Sequence, residues 1–318
     1  LASALGVLIF CLCCFAFMIM SIIGMIASAD TETKLKDNSV LTINLSGTIS
    51  EMAAPDVLGF LSGNTIENNG LNDMLLAIRK AKNNDDIKGI YLEAGPLAAG
   101  FSTLQELRDA LADFKKSGKW IVAYGDTYTQ GCYYVASVAN HIFLNPQGQV
   151  DWHGLSSQPY YIKDLAAKFG VKYQVAKVGT FKSATEMFTE TKMSDANRLQ
   201  VSMYLNGLWA NVCKAVSESR KISIPALNTY ADEYQLFADA QSLVKKHFVD
   251  KLLYADQVKG EVKKLLGIDA DKSINQVGVT AMCNVSQDAE TDDGTIAIYY
   301  AEGDIVQIAP GGMFNNNT

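Results

Sequence analysis

The sequence has 318 residues, 48% of them hydrophobic and 19% charged, with a formal net charge of −7. That is ample material for a sizeable core and for more than one domain, and it excludes a disordered or collagen-like chain. The acidic balance, with no basic stripe interleaved with aromatics, argues against a nucleic-acid partner.

In chain order, the first 29 residues, LASALGVLIFCLCCFAFMIMSIIGMIASA, carry no charge. A bilayer-spanning helix needs about 20 apolar residues, so residues 1–29 are predicted to be a transmembrane anchor, helical from Leu5 to Ile26. The alternative is a cleaved secretory signal, for which Ala27-Ser28-Ala29 supplies a small-x-small site. The chain opens on Leu1 without the basic flank that would set orientation, so these residues leave the orientation open.

Residues 30–38 read as a polar linker. The following SVLTINLSGTISE alternates and is rich in β-branched residues, predicting a strand that enters a turn at Ser46-Gly47. LNDMLLAIRKAKNNDDIKGIYLEAG predicts an amphipathic helix, a polar turn and a buried strand over 87–92. TLQELRDALADFKKSGKWIVAYG repeats that order, with a stop at Gly118 and a strand over 120–124. Between them GPLAAG reads as a plain strand-to-helix turn, with an anion-facing helix N-terminus as the alternative. Such alternation argues for parallel βαβ units.

QGCYYVASVANHIFLNP predicts a helix packed closely through Gly131, Ala136 and Ala139, then a short strand over 141–145. A helix ending near Gly170 and a strand over 171–178 come next, and the strand delivers Lys182 just past its end. Ser194, with Asp195 in the first turn, is predicted to cap a helix over 194–219. The remainder through Gly267 reads as helical with one charged face. Near the C-terminus GTIAIYYAEGDIVQ follows the same order as SVLTINLSGTIS: setting Gly47 against Gly303 pairs Ile49 with Ile305. Residues 294–318 are therefore expected to open a second copy of the domain.

No metal or cofactor is expected. Cys11, Cys13 and Cys14 sit in the apolar leader as small hydrophobes, while Cys132, Cys213 and Cys283 are far apart and lack metal or redox spacing. His141, His153 and His247 are too few for a zinc site or a histidine relay. There is no glycine-rich phosphate cradle and no G-x-S-x-G elbow. Lys182, in VGTFKSATEMF, has two readings: an ammonium kept in water at the end of a snorkelling stem, or an amine held dry so that it accepts a proton from a nucleophile.

The stretches YGDTYTQGCYYVASVANHIFLNPQGQVDWHG and VAKVGTFKSATEMFTETKMSDANR resemble the amino-terminal half of the long, two-domain signal peptide peptidase A family of bacterial membrane serine proteases. The similarity runs from about Asn38 onward, and its most specific part places the family's catalytic lysine on Lys182. The resemblance implies an α/β fold of the crotonase or ClpP type, a spiral of ββα units, with a first repeat over 39–285 carrying the lysine. It implies a Ser-Lys dyad in which lysine is the base and serine the nucleophile. Because a lysine titrates near pH 10.4 in water, such a base needs desolvation, for which Phe181, Ala184 and Phe188 are the expected source.

The family's serine lies in the second repeat, at a helix start. On the first repeat that pattern puts Gln130 at the serine position, so the site there is expected to be degenerate and Gln130→Ala is expected to retain most activity. The chain is expected to hold the base and to lack the nucleophile, which a second repeat of the same or a neighbouring chain would supply. Ser137, Ser156, Ser157 and Ser183 are the weaker local candidates. The resemblance further implies apolar substrates such as cleaved signal peptides, a homo-oligomer (a tetramer), and a single-pass protein of the bacterial inner membrane with its catalytic part on the periplasmic side. Two other readings stand beside it: a crotonase-type acyl-CoA enzyme, and a non-catalytic module that builds an oligomeric ring.

Overall fold

In the computed structural model, which describes residues 6, 9–20, 33–52 and 70–286, alternation of apolar residues along β1 (Ser39–Thr48) sends Leu41, Ile43 and Leu45 to one face and Val40 to the other. After it come α1 (Leu71–Asn83), β2 (Ile87–Ala98), α2 (Phe101–Lys115), β3 (Trp120–Tyr128), α3 (Gln130–Ala136) and β4 (His141–Val150). Then follow α4 (Lys163–Lys168), α5 (Glu186–Thr189), α6 (Asp195–Arg220), α7 (Ile224–Asp232), α8 (Ala240–Lys245), β5 (Lys251–Leu252), α9 (Ala255–Leu266), β6 (Asn275–Gly278) and α10 (Val279–Cys283).

The strands form a six-stranded sheet in the order β5-β4-β3-β2-β1-β6, with every neighbouring pair parallel. Parallel neighbours need crossovers, and α1, α2 and α3 supply them for the central strands. One face buries Ile43, Leu92 and Ile121 under Leu107 and Leu111 of α2 and Tyr133 of α3. On the other, Val258 and Val262 of α9 cover Val40, Val122 and Phe143. Side chains of this kind contribute about 1.5 to 3 kcal/mol each when fully buried. The parallel α/β class expected from the alternating pattern is the class observed.

Three differences from the sequence reading concern strands. β2 continues through the GPLAAG stretch to Ala98 and β4 runs on to Val150, because each finds a parallel partner beyond the expected end. β5 and β6 are edge strands of two and four residues, too short for a periodic signal. Residues 171–178, predicted as a strand, are exposed coil: no strand of the sheet lies beside them to take their hydrogen bonds.

Residues 9–20 are helical with exposed side chains, and among the described residues no helix is long and apolar enough to cross a membrane. The rest of the expected span, and the segment over 294–318, lie outside the described residues. The described residues belong to one unit that ends at Ser286.

Candidate active site

The C-terminal end of β3 delivers Thr129 and Gln130 to the start of α3. Thr129 caps the helix, its Oγ1 accepting from Cys132 N at 3.4 Å, and also exchanges hydrogen bonds with the Leu97 backbone at the end of β2. Gly131 follows because α3 lies hard against α2: a Cβ there would stand 2.9 Å from Leu104 Cδ1.

Gln130 is buried and both ends of its carboxamide are engaged. Its Oε1 accepts from His153 N at 3.0 Å and Gly154 N at 2.9 Å, and its Nε2 donates to Gly154 O at 3.0 Å. The side chain thus closes the turn after β4, where Gly154 adopts φ +81°. Next to that turn Trp152 is fully buried against Tyr133, Phe248 and Trp209 and donates from Nε1 to Leu227 O. A carboxamide is no nucleophile, so the position expected to be degenerate carries instead a structural clamp.

Lys182 lies elsewhere, on an arm over 155–211 that leaves the sheet. It closes a turn whose other end is Gly179, with Lys182 N donating to Gly179 O at 3.4 Å. Gly179 has φ +100°, which side-chain-bearing residues rarely adopt. Lys182 itself is exposed. Around it the arm presents large apolar side chains to solvent: Val178 is 91% exposed, Phe169 76% and Phe181 53%. Among the described residues, therefore, the dryness expected from Phe181, Ala184 and Phe188 is not supplied, since Phe181 and Ala184 are exposed and Phe188 is only half-buried against Tyr173.

One residue between 155 and 211 is buried, and it is a carboxylate. Glu186, 3% exposed, accepts from Ser194 Oγ at 2.6 Å, from Asn197 Nδ2 at 3.0 Å and from Ser194 N at 3.3 Å. Ser194 caps α6 as predicted, its Oγ accepting from Asn197 N at 3.2 Å. The hydrogen bond from Ser194 holds the Glu186 carboxyl below the usual glutamate range. Sequence reasoning found Ser194 but missed Glu186, because local capping rules look three residues ahead and this partner lies eight residues behind.

The remaining candidates stay apart from the lysine or are occupied. Ser137 is buried at the end of α3 and donates to Tyr134 O at 2.8 Å. Ser156 and Ser157 lie on an irregular stretch after β4, and Ser183 adjoins Lys182 with its carbonyl accepting from Glu186 N. Burial pushes the Cys132 thiol up to about 12 and the Cys213 thiol up to about 11, which makes both packing residues. A cavity of about 320 Å³ on the α9 face, lined by Thr42, Tyr91, Glu93, Tyr124, Val258 and Lys259, contains neither Gln130 nor Lys182.

Fold and site together define a parallel-sheet α/β protein with Lys182 among six exposed lysines on the largely exposed arm, and a glutamine clamp at the sheet's end. Residues 113–269, which include both, match Peptidase family S49. Protease 4 of Salmonella typhi is 35% identical over 274 residues, 81% of this chain and 43% of its own length. Protease 4 of Haemophilus influenzae is 32% identical over 227 residues, 69% of this chain and 37% of its own. The chloroplastic serine protease SPPA of Arabidopsis thaliana is 27% identical over 244 residues, 77% of this chain and 35% of its own. The chain belongs to peptidase family S49, as the TFKSA resemblance implied. It spans about two fifths of the length of the curated relatives it matches.

Proposed function

We propose that this chain is the lysine-bearing part of a serine-type peptidase of the signal peptide peptidase A kind, with Lys182 as general base and a serine from a second repeat, of the same or a neighbouring chain, as nucleophile. The observation that carries the reading is the place of Lys182: inside the family match, on an arm where Val178, Phe169 and Phe181 are exposed among the described residues. A second surface laid on Val178 and Phe181 would exclude water from the amine, which favours its neutral form. The neutral amine takes the serine proton as Oγ attacks the peptide carbonyl, and the resulting ammonium returns that proton to the leaving amine. Water then hydrolyses the acyl-enzyme with the same amine as base.

The finer points belong to the same reading. The parallel sheet with helices in its crossovers fits a ClpP-like spiral. Apolar peptides, cleaved signal peptides among them, are the substrates, and a membrane anchor formed by the apolar leader keeps the enzyme beside them on the extracytoplasmic face of the bacterial inner membrane. The exposed arm suits a homo-oligomer, a tetramer by resemblance. It also suits the reading of a non-catalytic assembly module, and one experiment separates the two. In the complete protein, Lys182→Ala lowers peptide hydrolysis by on the order of 10² to 10⁴ or more while assembly is kept. Lys182→Arg fails as well, since a guanidinium does not give up its proton. Undiminished hydrolysis by Lys182→Ala sinks the reading.

A further inference from the structure

We propose that Glu186 is the positioning residue of Lys182, a role that rests on the base assignment above. The arm has no apolar centre of its own: Glu186 is its one buried residue. From Gly179 to Glu190 the backbone is a run of local turns, with Lys182 N bonded to Gly179 O, Glu186 N to Ser183 O and Glu190 N to Glu186 O. These turns make Lys182 and Glu186 one short rigid piece, four residues apart.

What fixes that piece in space is the carboxylate. It takes a hydrogen from the Ser194 hydroxyl, one from the Ser194 backbone and one from the Asn197 amide, all at the N-terminus of α6, where the helix dipole favours a negative charge. The far half of α6 is docked on the sheet domain: Val212, Cys213 and Val216 are buried, and Arg108 donates to Ala215 O at 2.8 Å. The chain of support thus runs from the domain through α6 to Glu186 and on to the lysine turn. Its other ties include a backbone bond from Ile162 N to Met187 O at 2.8 Å, contact between α4 and α5, and the contact of Phe188 with Tyr173 at 4.6 Å between ring centres. None of these reaches α6.

In Glu186→Gln the side chain keeps its shape and its amide oxygen can still accept from Ser194 N and Asn197 Nδ2, but the charge is lost and the NH₂ meets the Ser194 hydroxyl, which must turn from donor to acceptor, so the clamp weakens. A misplacement of the base by about 1 Å lowers the chemical step by up to about 10²-fold. The test compares Glu186→Gln, Glu186→Asp, Ser194→Ala and Lys182→Ala in the complete, assembled protein, with kcat, KM, the pH dependence of kcat and the thermal midpoint read for each. The inference expects kcat of Glu186→Gln to fall about tenfold or more, with KM within about twofold, a displaced pH limb and an unchanged thermal midpoint. Ser194→Ala moves the same way by less, and Glu186→Asp recovers part of the loss. Wild-type kcat and pH profile in Glu186→Gln, beside a dead Lys182→Ala, overturn the positioning role and leave the base assignment standing. A fall in kcat that merely tracks a lower thermal midpoint overturns it too, as a purely structural effect. Full activity of Lys182→Ala removes the base assignment and this inference with it.

Discussion

The sheet domain and the arm are built on opposite principles. In the domain, strands and helices bury aliphatic and aromatic side chains on both faces of one parallel sheet, and a buried polar group such as Gln130 finds partners within the chain at both ends of its carboxamide. The arm over 155–211 reverses this: many of its large apolar residues, Phe169, Val178 and Phe181 among them, face solvent and its one buried residue is an acid held by hydrogen bonds. Under the proposed function, another surface completes this region of exposed apolar side chains. The chemistry assigned to Lys182 then depends on the region that contributes least to the stability of this chain.

That contrast can be broken most forcefully from the domain side. Trp152→Ala removes a fully buried indole and its bond to Leu227 O, and is expected to lower stability by about 3 to 5 kcal/mol in chemical denaturation. Gln130→Ala comes next. It strands the His153 and Gly154 amides and the Gly154 carbonyl, so a loss of about 1 to 3 kcal/mol is expected, with specific activity per folded molecule retained. A Gln130→Ala protein as stable as wild type would show the clamp to be idle.

On the arm the effects are local. Glu186 titrates below its ordinary value in the folded chain, so its stabilisation is fully present above the unfolded glutamate value of about 4.3 and is lost as pH falls through the lower native value. Amide exchange around Ser194 and Asn197 should therefore quicken in that acidic window before the sheet amides respond. Smallest of all, Val178→Ser should change this chain's denaturation by no more than about 0.5 kcal/mol, because the side chain is already in water. The same change should weaken assembly of the complete protein, measured by sedimentation.

The domain was largely legible in the sequence, since Leu41, Ile43 and Leu45 announce a strand and Leu104, Leu107 and Leu111 a helix face by spacing alone. β5 and β6 were not, because two to four residues at a sheet edge owe their state to a neighbour rather than to their own pattern. At the site, Ser194 was readable as a cap from local context and Lys182 was singled out as the base only by the family resemblance, whereas Glu186 and the clamp of Gln130 arise from bonds across turns that no spacing rule links. The stretch over 171–178 is the instructive case. Val171, Tyr173 and Val175 alternate as a strand should, yet they lie in exposed coil. Strand propensity expresses itself only when a neighbour accepts the backbone bonds.

Amide exchange of residues 172–178 in the complete, assembled protein tests the central claim most directly, because within this chain those amides have no backbone partner among the described residues. If a second surface completes the arm around Lys182, they exchange at least about tenfold more slowly than an unstructured chain. Exchange at unstructured rates in the active assembly would contradict the account.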